Sequence, residues 1–278
     1  MASAAIFLLL IAGLHTAACQ TFKPNPNQRS LVTLWTFDEA PGTERVSLGP
    51  YHYKLHEDNG PIERADEGVF NGTSAFLRPG QRFVAPRAQV PALDFHGRVN
   101  LTVIAWLNRM PYCGFSNYSD HNPYPCCEFV AGVFNESAAA RQYGLFMNLH
   151  SFNSSNQADG LVSAHGGNTP GHDGCVTGAF GATPVPYFRW SCVGMTYDGN
   201  YVRGYYNGKL DRRTGLNPFP YDKGIYDGGS HGADFTVGSN SAFGQKHNYV
   251  YGMIGGVAIY NATLTDEEVS LVCGYTGE

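Results

Sequence analysis

Residues 190–208 read WSCVGMTYDGNYVRGYYNG. From Trp190 to Tyr197, β-branched and aromatic residues alternate with small and polar ones. Asp198-Gly199 breaks the run, and Tyr201, Val202, Arg203, Tyr205 and Tyr206 resume it before Asn207-Gly208. Asn, Asp and Gly tolerate the positive φ of tight hairpin turns. The stretch therefore predicts two antiparallel strands with one turn between them and another after them.

Composition agrees with a sheet protein. Of 278 residues, 43% are hydrophobic and only 15% charged, with 34 Gly, 17 Tyr and 17 Phe, which favours a turn-rich all-β domain over a helical one. The formal net charge is -5 and no basic run occurs, so nucleic acid is not an expected partner.

The opening MASAAIFLLLIAGLHTAACQ has an apolar run from Ala4 to Leu14 followed by small residues, which reads as a secretory signal over residues 1–19. The run is too short for a membrane span. Residues 20–30 read as an arm and residues 31–278 as one domain. Beyond Cys19 stand Cys113, Cys126, Cys127, Cys175, Cys192 and Cys273, an even set that suggests three disulfides among fifteen possible pairings. Sequons at Asn71, Asn100, Asn117, Asn135, Asn153 and Asn261 add the expectation of a glycosylated, extracellular surface.

Other strands follow from the same period. LVTLWTF (31–37) is one, VFNGTSAFL (69–77) is a hairpin around Asn71-Gly72, and NLTVIAWLNR (100–109) is apolar on both faces and so central. In YGLFMNLHSF (143–152) the row Phe146, Asn148, His150, Phe152 mixes polar and aromatic groups. Residues 43–68, 151–186 and 209–234 read as irregular surface chain. Thr265 and Glu268 form a capping-box pattern, predicting a short helix that ends near Cys273.

These motifs together resemble the laminin-G-like jelly rolls of the concanavalin A-like lectin/glucanase superfamily. The resemblance rests on LWTFDEAPG, FNGTSAFL, NLTVIAWLNR, WSCVGMTYDGNYVRGYYNGKL and FTVGSN with GGVAIYNATLTDEEV, in that order. It implies a sandwich of two curved antiparallel sheets, one concave, in a family that mostly binds glycans or proteins, often with structural calcium. Many members carry Asp-Glu where this chain has Gly255-Gly256, which removes acidic ligands from that calcium site.

A sugar-binding face needs aromatic platforms together with planar amides or guanidinium groups. Trp106, Asn148, His150, Arg203 and Tyr205 are the candidates, with Trp106 and Arg203 also weighed as core and outer-strand residues. His165, His172 and Asp173 are weighed as a metal group. Asp120 with Asp159 and Asp173, or Asp222 with Asp227 and Asp234, are weighed as calcium ligands. Glucanases set two carboxylates about 5 Å apart on one face, and no such strand pattern occurs. The expected function is recognition of an extracellular polysaccharide or glycoprotein. The alternatives are a lyase or glucanase at the concave face, where Tyr201, Arg203, Tyr205 and His150 could serve a lyase, and a structural matrix or adhesion protein.

Overall fold

The alternation read at residues 190–206 is a hairpin in the folded chain. Asp198 accepts from the backbone N–H groups of Asn200 (2.8 Å) and Tyr201 (2.7 Å) through Oδ1, which closes the turn. Asn207 and Gly208 are both left-handed, at φ 48° and 75°, as the following tight turn requires. The structure is a computed structural model and describes residues 28–111, 127–136, 140–147, 156–163, 177–242 and 244–274. The expected signal, most of the arm, Cys113, Cys126, Cys175, Asn117 and Asn153 lie outside the described residues.

In chain order the strands are β1 (Leu31–Trp35), β2 (Arg45–Val46), β3 (Lys54–Asp58), β4 (Glu63–Phe70), β5 (Thr73–Leu77), β6 (Arg82–Ala85), β7 (Leu101–Arg109), β8 (Glu128–Phe134) and β9 (Arg141–Met147). There follow β10 (Ala158–Val162), β11 (Gly178–Phe180), β12 (Trp190–Tyr197), β13 (Tyr201–Tyr206), β14 (Lys209–Leu210), β15 (Phe219–Pro220), β16 (Phe235–Val237), β17 (Asn240–Ala242), β18 (Gln245–His247) and β19 (Gly252–Tyr260). Helix α1 (Asp266–Cys273) comes last. One sheet has the order β14-β13-β12-β7-β19-β5-β4, with β1 also on β19 and β15 on β13. The other has the order β11-β10-β9-β8-β16-β6-β3-β2, and the strand pairs within both sheets are antiparallel. This is the expected jelly-roll sandwich.

Period-two alternation assigns the faces. Leu101, Val103, Ala105 and Leu107 of β7 point into the core between the sheets, where Trp35 of β1 stacks on Phe235 of β16 with ring centroids 5.3 Å apart. Ile104 and Trp106 point the other way, into a second cluster with Tyr205, Tyr260, Val269 and Val272 beneath α1. A third, phenylalanine-rich cluster holds Phe129, Phe134, Phe146 and Phe180 on the outer side of the second sheet.

Helix α1 begins as its sequence implies. Thr265 Oγ1 accepts from Glu268 N–H at 3.2 Å, Glu268 Oε2 accepts from Thr265 N–H at 2.8 Å, and Gly274 ends the helix at φ 67°. A Cys192–Cys273 disulfide, with Cα atoms 5.6 Å apart, ties its last turn to β12.

Three stretches read as irregular contain strands. Residues 43–68 hold β2, β3 and most of β4, residues 151–186 hold β10 and β11, and residues 209–234 hold β14 and β15. β2, β4, β11 and β14 lie at sheet ends, where the backbone ladder forms without a continuous apolar face to announce it.

Replacing Cys192 and Cys273 by Ser opens a loop with a sequence separation of 81 residues. The chain-entropy account expects a loss of about 4 kcal/mol. Denaturant unfolding of the double variant measures it, and an unchanged midpoint would exclude this pairing as a structural tie.

Candidate functional site

Among the described residues, the sequence-predicted Trp106, Arg203 and Tyr205 do not line one open groove. Trp106 is 2% exposed, packs edge-on against Phe70 at 4.9 Å, and its Nε1–H reaches the Cys273 carbonyl at 3.5 Å. Tyr205 is likewise 2% exposed and donates its hydroxyl to Asp266 Oδ1 at 2.9 Å. Burial, seconded by the Asp266 carboxylate, pushes its phenol up to about 12. Both residues belong to the packing under α1, and that corrects the expectation that they meet a sugar. Arg203 stays partly open but pairs with Asp198 at 2.7 Å and lies over the Tyr201 ring. The spacing does put Tyr201, Arg203 and Tyr205 on one face; the helix then closes the Tyr205 end of it. Asn148 and His150 lie outside the described residues.

Acidic ligands for the calcium implied by the family do not fit at Gly255-Gly256. A Cβ built on Gly255 would stand 2.9 Å from the Trp190 ring, and one on Gly256 would stand 2.4 Å from the Phe70 ring. Aromatic rings occupy the space that acidic side chains would need. Of the alternative ligands, Asp120, Asp173, His165 and His172 lie outside the described residues, and Asp159 is buried within β10. Asp227 does approach Asp94 and His96, their ligand atoms all lying within 4.8 Å of one another. Arg87 already serves this group: its Nη2 is 2.6 Å from Asp94 and 3.6 Å from Asp227, and its backbone N–H donates to Asp234.

Antiparallel register brings the C-termini of β3, β7 and β9 and the N-termini of β6, β8, β10, β12 and β19 to one end of the sandwich. Here the apolar core gives way to charge. Arg109 continues the inward row of β7 and meets Glu128 at 2.9 Å, both side chains being almost wholly buried. Arg109 also donates to Asn156 Oδ1 at 2.6 Å, and its guanidinium lies 4.2 Å from the Tyr187 ring centre. Among the described residues, Arg109 Nε and Nη1 and Glu128 Oε2 make no hydrogen bond. Burial outweighs the pull of Arg109 and raises the Glu128 carboxyl to about 7.

At the same end, the β3–β4 turn borders a cleft of about 610 Å³ lined by Pro41, Thr43, Glu44, His56, Glu57 and Pro61. That volume suits one or two sugar-sized rings. Glu57 is spent on structure, accepting from Arg45 at 2.7 Å and from the backbone N–H groups of Gly42 and Ile62. Glu44 faces solvent, where its hydrogen bond to Lys54 leads the effects holding its carboxyl below the usual range. His56 Nδ1 lies 3.4 Å from it. The lining thus joins two proline rings, a hydroxyl, an imidazole and one open carboxylate. Glu44 and His56 sit on stretches read as plain surface chain, and no motif marked them. A second hollow of about 500 Å³, around Arg29, Leu48 and His52, has no carboxylate in its lining.

Residues 85–270 match the family described as the Concanavalin A-like lectin/glucanases superfamily, in its laminin-G-like branch. The chain belongs to this superfamily. No curated protein sequence matches it. Domain 4 of AbnA, an extracellular GH43 arabinanase from Geobacillus stearothermophilus solved with arabinotriose, superposes with a TM-score of 0.53 at 15% identity, over 88% of this chain and 98% of that one. A Trypanosoma rangeli sialidase mutant displaying trans-sialidase activity gives 0.55 at 14% identity, over 88% of this chain and 32% of that one. A botulinum neurotoxin type C structure, described through its interaction with two ganglioside molecules, gives 0.55 at 11% identity, over 88% of this chain and 51% of that one. At these identities the likeness is one of fold, and this chain spans a third to a half of the latter two.

Glu128 sets a pH dependence of stability. Its carboxyl rises from an ordinary 4.5 to about 7 on folding, so the folded chain binds the proton more tightly. Stability from this group is full below 4.5 and is lost as pH rises through about 7. Thermal melts across that window should show Glu128→Gln falling less with pH than the parent chain, and parallel curves would refute the shift.

Proposed function

We propose that this protein is a secreted, lectin-like binding protein that recognises an extracellular glycan or glycoprotein through the cleft beside β3. The observation that carries the reading is the cleft itself: about 610 Å³, flanked by proline rings, with His56 and Glu44 to receive hydroxyl groups. Sugar recognition combines apolar contact with a few placed polar groups, and this lining offers both. Membership of a lectin and glucanase superfamily supports it, as do fold neighbours described with arabinotriose and with gangliosides. The single open carboxylate favours binding over hydrolysis, because glycosidases need a second one to share the chemistry.

Secretion belongs to the same reading. It is supported by the Cys192–Cys273 disulfide and by the exposure of Asn71, Asn100 and Asn261, with Asn135 half-buried. Expression in eukaryotic cells should deliver the chain to the medium as a species that shifts down in mass on N-glycosidase treatment. Retention inside the cell without a shift would contradict it.

A glycan array, run with and without EDTA, tests the binding. The expected result is a defined set of bound glycans that survives EDTA, since an acidic calcium ligand at Gly255 or Gly256 would collide with the Trp190 or Phe70 ring. His56→Ala should weaken that binding about tenfold, or ~1.4 kcal/mol. An array blank in both conditions would sink the reading.

A further inference from the structure

At the charged end of the sandwich one large side chain stands out into solvent. Phe188 is 64% exposed and adopts φ 58°, a left-handed conformation that bulky side chains rarely take. That conformation is strained, and the surroundings must offset the strain. They do so through Arg109. The backbone N–H of Phe188 donates to the Arg109 carbonyl at 2.9 Å. Tyr187 lies against the Arg109 guanidinium, and its hydroxyl donates to Asn156 Oδ1 at 2.8 Å, the atom that also accepts from Arg109. Glu128 fixes Arg109 in turn.

A buried ion pair of this kind stabilises little, and an apolar pair of similar volume often does as well. Among the described residues, this one even leaves Arg109 Nε and Nη1 and Glu128 Oε2 without hydrogen bonds. Its visible effect is positional, for it locks the turn that displays Phe188. Arg189 follows in the same turn, exposed and with no ion pair among the described residues.

We infer that the Phe188–Arg189 turn is a contact site for acidic saccharides, Phe188 stacking on the C–H face of a sugar ring and Arg189 pairing with its carboxylate or sulfate. The inference rests on the saccharide-binding reading above and narrows it to a class. An aromatic ring carried on a held backbone, with only two side-chain torsions to order, loses little freedom on contact, so its apolar area converts well into affinity. A guanidinium matches the planar geometry of a carboxylate in a way that a neutral hydroxyl cannot use. A neutral sugar would engage only half of the pair.

Calorimetric titration of the full chain with a heparin octasaccharide, an oligogalacturonate and neutral arabinotriose tests this. The parent chain should bind at least one acidic probe. Phe188→Ala should raise its Kd about tenfold while Phe188→Trp stays close to the parent, and Arg189→Ala should weaken acidic probes and flatten their salt dependence. Melting curves of the variants keep folding separate from binding, as both side chains are exposed. Unchanged affinity in Phe188→Ala and Arg189→Ala overturns the site while leaving the saccharide reading intact. Binding of arabinotriose alone overturns the acidic class only. Binding of none of the three probes, with a blank array, removes both. Phe188-dependent attachment to phosphatidylserine vesicles without saccharide binding would overturn it in favour of a lipid surface.

Discussion

The middle of the first sheet has no polar face. β7 and β19 are buried from end to end, and β12 is buried beyond Trp190. One side of these strands meets the second sheet, and the other would stand in water unless something covered it. Helix α1 does so, laying Val269, Val272 and Cys273 over Ile104, Trp106, Tyr205 and Tyr260. The capping box fixes where the helix starts, and the tie to Cys192 fixes where it ends. Burying large aromatic groups is worth several kcal/mol each, so this second core is a structural necessity.

That necessity decides which aromatic residues stay open to solvent. Trp106 and Tyr205, the residues best suited by type to meet a sugar, are consumed in holding the helix. The outer side of the second sheet carries its own phenylalanine cluster and the β17–β18 hairpin, docked by Arg82 and Lys246 onto Asp58. Among the described residues, the cleft proposed for a glycan lies at the end of the sandwich, where strands terminate and turns begin.

Charge is distributed accordingly. Arg109 and Glu128 close the inter-sheet core where its apolar rows run out, and the same arginine organises the turn that carries Phe188. Glu57 does comparable structural work beneath the cleft, holding Arg45 and two backbone amides, which leaves Glu44 and His56 to face the open side. In both places a buried charge builds the support and a neighbouring exposed group is left to make contact.

The hairpin at 190–206, the central strand at 101–109 and the capped helix at 266–273 were readable because each depends on local chemistry: side-chain period, turn residues with positive φ, and a reciprocal pair of cap hydrogen bonds. Strands β2, β4, β11 and β14 were not, because pairing at a sheet end comes from the neighbour's backbone and leaves no apolar period. Likewise the sequence determined that Tyr201, Arg203 and Tyr205 share one side of a strand, and that Trp106 shares a side with Ile104. Only the tertiary structure decided that a helix lies over Tyr205 and Trp106, that Arg109 reaches Glu128 across the sheets, and that His56 and Glu44 border a cleft. Alternation says which residues look the same way, whereas what they look at is set by elements far along the chain.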